Sequence, residues 1–126
     1  MDVEKIIADT VNQTVLKLKL AGLMKDNNKT AFQKTEELLR NYNALSMSTE
    51  RKAKHILRKI NQSLEVIKDD PYYEIISLYY VDNQTREEIA EHFDTSVTTV
   101  SRNKTRLVNK LKAALFADEF ITELYS

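Results

Sequence analysis

The sequence predicts an all-α chain. Three observations carry that expectation. Apolar residues recur at three- and four-residue steps over most of the 126 residues, the spacing that puts a single stripe on a helix. Only one Gly and one Pro are present, too few for the tight turns of a β-rich fold. Two Thr-x-x-Gln/Glu pairs, Thr30 with Gln33 and Thr85 with Glu88, have the spacing of reciprocal helix caps. An apolar content of 42% argues against wholesale disorder. The absence of Cys excludes a disulfide scaffold and thiolate metal sites. No run of about 18 apolar residues is present, so no membrane span is expected. The opening MDVEKIIADT is acidic and amphipathic, unlike a signal peptide, and a cytoplasmic setting is expected.

The elements follow in order. A first helix is expected from about Val3 to Met24, with Val3, Ile6, Ile7, Val11, Val15, Leu18 and Leu23 on one stripe. Thr30 caps a second helix that reaches about Tyr42 through Phe32, Thr35, Leu38 and Leu39. Asn41, Asn43 and Ser46 mark a loop. Ser48 caps a third helix, with Glu50 in its first turn and Ile56, Leu57, Ile60, Leu64 and Ile67 inward. Pro71 disfavours helix at Asp70 but suits a first helical position, so one helix stops near Lys68 and a short apolar one starts at Pro71. Asn83 tolerates the left-handed turn that follows. Thr85 opens a fifth helix, Asp94-Thr95 is a tight turn, and Ser96 caps a last long helix from Val97 to about residue 117. Phe120, Ile121, Leu124 and Tyr125 are expected in a short closing helix. The organisation read from this is an N-terminal helical segment of about three helices, residues 1–69, and a C-terminal unit, residues 70–126.

The net charge is zero, but the charges are sorted. Residues 95–117 hold Arg102, Lys104, Arg106, Lys110 and Lys112 with no acid. Residues 82–94 hold Asp82, Glu87, Glu88, Glu91 and Asp94 against Arg86 alone. A second basic knot runs from Arg51 to Lys59. A neutral total thus allows one strongly positive face. For the 51–59 knot the expected reading is a solvated helix face, and a positive binding face is the alternative.

Residues 85–112 meet the demands of a helix-turn-helix that reads DNA. Ala90 is small where two helices cross closely, Ile89 and Phe93 fill the corner, and Val100 anchors the second helix. Asp94 holds the turn position that needs a left-handed dihedral. Ser96 caps the second helix, so its first N–H groups are ordered toward phosphate. The plainer alternative is any helix pair with a short turn. With Val100, Leu107, Val108 and Leu111 inward, Thr98, Thr99, Ser101, Arg102, Thr105 and Arg106 face outward. Arg grips guanine bidentately, and Ser and Thr bond bases or phosphates. Arg86, Lys104 and Lys110 are the expected phosphate contacts. Asn103 is expected at a shallow edge.

Residues 70–112, DPYYEIISLYYVDNQTREEIAEHFDTSVTTVSRNKTRLVNKL, resemble region four of sigma-70-type factors, which reads the promoter −35 element. Ile75, Leu78, Tyr79 and Tyr80 stand for that family's apolar helix, TREEIA for its second helix, and SVTTVSR for the start of its recognition helix. The resemblance places the reading residues just after the cap, on Val97, Thr98, Ser101 and Arg102. This sequence departs from the family at Asp94 and Asn83, where it has Gly, and at Asn103, where it has an apolar residue. Nothing resembles the promoter-melting region two. The whole chain, with TAFQKTEELLRNYNAL over Thr30–Leu45, is similar to small phage regulators of the ArpU/RinA type. That resemblance implies a late-gene activator of a Gram-positive phage or prophage, acting on double-stranded DNA in a bacterial host cell, with host RNA polymerase as a further partner. Two other readings are a DNA-packaging recognition subunit and an adaptor that binds RNA polymerase without reading DNA.

A homodimer through the stripe Ile7, Val11, Val15 and Leu18, flanked by Lys17 and Lys19, is expected; the alternative is packing within the chain. The tyrosines Tyr72, Tyr73, Tyr79 and Tyr80 read as core with rim hydroxyls in preference to a base-stacking platform. His55 and His92 lack a partner at metal-ligand spacing. No Ser-His-Asp order and no Gly-rich phosphate loop is present, so neither an enzyme nor a bound cofactor is expected.

Overall fold

A computed structural model of the chain describes residues 29–116. The expected first helix, its dimer stripe and the closing helix lie outside the described residues. Within them the chain is all-α, with no strand. The helices are α1 (Ala31–Arg40), α2 (Tyr42–Met47), α3 (Arg51–Ile67), α4 (Glu74–Ile76, continued by a π-helical turn, Ser77–Val81), α5 (Arg86–His92) and α6 (Val97–Leu115).

Both predicted capping boxes form. The Thr30 hydroxyl accepts from the Gln33 N–H while the Gln33 side chain accepts from the Thr30 N–H, and Thr85 and Glu88 do the same for α5. Ser96 caps α6 by accepting from the Thr99 N–H at 3.1 Å.

Three local expectations are corrected. Asn41 to Ser46 is not a loop. The Asn41 side chain caps the end of α1 by donating to the Glu37 carbonyl at 2.7 Å, and its own carbonyl accepts from Leu45, so α2 begins at once. Glu50, expected inside the first turn of α3, is its N-cap residue, and the Ser48 hydroxyl accepts from the Glu50 N–H. Pro71 does not open a helix directly. Residues 71–73 form turns closed by three-residue hydrogen bonds, because the Asp70 carboxylate takes the Tyr72 N–H at 2.9 Å.

Left-handed backbone occurs at Asn83 (φ 56°) and Asp94 (φ 50°), the two positions that depart from Gly. At Asp94 the closure is complete. The Asp94 N–H bonds the Glu91 carbonyl and the Thr95 N–H bonds the Ala90 carbonyl, so two of the last carbonyls of α5 are satisfied across the turn. The π-helical turn ends similarly, with Asp82 N–H on Ser77 and Gln84 N–H on Leu78. Asn43 of α2 adds a donor to the Val81 carbonyl at 3.1 Å.

One core joins the two parts of the chain. Leu38, Leu39 and Leu45, then Ile56, Ile60 and Ile67 of α3, pack with Ile76, Tyr80 and with Leu107, Val108, Leu111 and Leu115 of α6. Leu57 and Leu64 are half-buried against it. A smaller cluster of Ile75, Ile89, Ala90 and Val100, with Phe93 and Tyr72 at its edge, holds α5 across α6. The outer half of α6 is therefore fixed by α5, and its inner half by the helices before Asp70.

Candidate nucleic-acid interface

The interface is built on α6, the turn at Asp94 and the first turn of α5. Two contacts aim the start of α6, one buried and one at the surface. Val100 is fully buried against Ile89 and Ala90, and the Ser96 cap orders the first turn. Opposite this anchor Thr98, Arg102 and Thr105 are exposed in a line. Ser96 and Val97 are exposed at the helix start, while Thr99 and Ser101 are half-buried on the flanks. The Ser96 hydroxyl also donates to the Thr99 hydroxyl at 3.0 Å. Arg86 of α5 reaches Ser101 across the turn, with Nη1 3.2 Å from its hydroxyl oxygen. Lys110 is exposed farther along α6. The structure thus brings together Arg86, Ser96, Val97, Thr98, Thr99, Ser101, Arg102 and Thr105.

Two expected DNA contacts are engaged elsewhere. Lys104 follows Val100 by one turn and so lies on the packed stripe. Its ammonium is 3.7 Å from the Glu36 carboxylate of α1 and 4.4 Å from the centre of the Tyr79 ring, and its side chain is only 14% exposed. Arg106 makes two hydrogen bonds, 2.7 and 2.9 Å, to the Asp70 carboxylate, and Asn103 accepts from it at 3.0 and 3.1 Å. Asn103 is half-buried at the helix edge and donates to the Thr99 carbonyl.

The Arg106 hydrogen bonds lower the Asp70 carboxyl from its ordinary value of 3.8 to about 2, against the raising effect of burial. The same pair raises the Arg106 guanidinium. A depressed carboxylate stabilises the fold above its unfolded pKa, and that stability is lost as pH falls from about 4 toward about 2. Arg106 is 39% exposed, so solvent screening holds the contribution to about 1–2 kcal/mol. Denaturation of Asp70→Asn beside the unsubstituted protein should show that difference at pH 7 and only a small part of it near pH 2, where Asp70 is half protonated in the folded state. A difference undiminished at pH 2 would count against the ion pair as its source.

Sequence reasoning missed two things. Asn109 is exposed one turn after Thr105 on the same line, and Asn is a bidentate partner for adenine. The steps from Thr98 through Arg102 and Thr105 lead to it. Glu36 was also missed as the acceptor for the Tyr80 hydroxyl, at 2.6 Å; such a contact, 44 residues apart, leaves no mark in local spacing. The Tyr80 hydroxyl is consequently not at the rim, and burial raises its pKa.

His92 lies 3.2 Å from the Glu74 carboxylate, with both side chains about half exposed. Among the described residues no group of three or more His, Cys, Asp or Glu is placed to hold a metal ion. Among them, too, no helix is long and apolar enough to cross a membrane.

Residues 73–113 match the family model described as Sigma-70, region 4. No curated protein and no solved structure matches the chain. The match covers α4, α5 and nearly all of α6, and so includes the elements from which the interface is built; it points to a DNA-binding, transcription-related role.

Proposed function

We propose that this chain is a sequence-specific transcription regulator that lays the first turns of α6 in the major groove of double-stranded DNA. The observation that carries the reading is the exposed line Thr98–Arg102–Thr105, set on an acid-free helix whose opposite side is locked by Val100. Arg102 reads a base edge; Thr98 and Thr105 read or support neighbouring bases. Ser96, Thr99, Ser101 and Arg86 line the phosphate side of the helix start, and Lys110 neutralises a phosphate on the flank. The likeness of Thr30–Leu45 to ArpU/RinA-type regulators supports the finer part of the proposal. In that reading the chain is a phage or prophage late-gene activator, working in a bacterial host with RNA polymerase. Residues 1–69 form its partner and assembly region, and its N-terminal helices join two copies.

Selection of bound fragments from random duplex DNA tests the reading, followed by titration of the selected site. Arg102→Ala should cost about 1–3 kcal/mol and relax preference at one position. Lys110→Ala should weaken binding to all sequences alike and lower the salt slope by about one unit. Failure to enrich any sequence, or an Arg102→Ala variant with unchanged affinity and specificity, would oppose the proposal.

A further inference from the structure

The acid-free stretch of α6 has a counterpart in α3. From Arg51 to Leu64 the chain holds Arg51, Lys52, Lys54, Arg58 and Lys59 and no acid. The inward side of α3 is Ala53, Ile56, Ile60, Ser63 and Ile67, all buried. Arg51, Lys54 and Arg58 stand opposite, at steps of three and four residues, and all three are exposed. Among the described residues none of these three side chains enters a hydrogen bond or an ion pair; His55 and Lys59 have contacts of their own. Lys54 and Arg58 border a shallow groove of about 410 Å³, floored by Leu57 and continued by Asn61, Gln62 and Glu65.

We infer that the Arg51–Lys54–Arg58 face of α3 is a second, sequence-independent binding site for the DNA phosphate backbone, outside the helix-turn-helix. Charge complementarity selects the occupant. Ten of the 19 Lys and Arg lie on two acid-free stretches, residues 51–64 and 95–117, which are thereby positive in a chain of zero net charge. The geometry fits a strand of DNA. Seven residues of helix rise span about 10.5 Å. Phosphates on one strand advance about 3.4 Å each along the duplex axis, so the face spans about three of them. α3 and α6 share one core. Three long side chains with no fixed acceptor among the described residues suit backbone neutralisation, since base reading demands an oriented donor.

The inference rests on the DNA-reading proposal, and the experiment separates the two. The full chain is titrated onto its selected duplex, carrying about one helical turn of extra DNA on each side, at several salt concentrations. The triple variant Arg51→Gln/Lys54→Gln/Arg58→Gln should keep the same base preference. The slope of log affinity against log salt should fall by about 2.7 units, at about 0.9 per phosphate. Arg51→Lys/Arg58→Lys, which keeps the charge, should leave the slope intact, and helicity and melting of both variants should match the parent. An unchanged slope in the triple variant overturns the inference and leaves a solvated face, or one for an acidic protein partner. A slope that falls equally in the Lys variant also overturns it. Absence of duplex binding by the parent protein ends both proposals, whereas normal binding with an unchanged slope ends this one alone.

Discussion

Ile60→Ala is expected to destabilise the whole chain by about 2–5 kcal/mol, the range for opening a cavity at a fully buried aliphatic site. Ile60 lies in the segment before Asp70, yet it shares a core with Leu107, Val108, Leu111 and Leu115 of α6. Denaturation followed by circular dichroism should therefore show one transition, displaced as a unit, with duplex binding lost over the same range. Val66→Ala, on the same helix at a site 62% exposed, should stay within about 0.5 kcal/mol. Two separate transitions, with α6 indifferent to Ile60, would contradict a shared core. Isolation of residues 70–126 would strip Ile56, Ile60 and Ile67 from α6, so that fragment is expected to be unfolded.

Tyr80→Ala is expected to cost about 3–5 kcal/mol, because the ring is 2% exposed between α1, the π-helical turn and α6. Tyr80→Phe isolates the hydroxyl. It leaves the ring and removes the donor to Glu36, while Lys104 and Arg40 still face that carboxylate. A loss of about 1 kcal/mol is expected, the ordinary net value of one hydrogen bond. Thermal melts of the two variants against the parent measure both. A Phe variant as damaged as the Ala variant would assign the stability to the hydrogen bond and not to packing.

The parts of the fold legible from the sequence were those set by local spacing. Thr30–Gln33, Thr85–Glu88 and Ser96 announce their caps because both partners lie within one turn. Asn83 and Asp94 announce left-handed turns because few residues tolerate them. Val100, Leu107, Val108 and Leu111 follow from period, and so does the exposure of Thr98, Arg102 and Thr105. Illegible were the partners supplied from far along the chain. Arg106 is outward by period but is taken by Asp70, 36 residues before it. Lys104 reads as a free cation, but Glu36 and Tyr79 bury it. The loop expected at Asn41–Ser46 failed for a different reason. Asn41 ends one helix with its side chain while its carbonyl starts the next, so one residue does the work of a loop.

The core shared by α3 and α6 also bears on how the protein is made. A ribosome completes α3 while α6 is still unwritten, leaving Ile56, Ile60 and Ile67 without their partners in α6. At about 5–20 residues per second, the wait from Ile67 to Leu115 is roughly 2–10 s. During that time the nascent chain carries an uncovered aliphatic strip and is a natural client for a chaperone. A message cut short before Leu107 would yield a product unable to close this core.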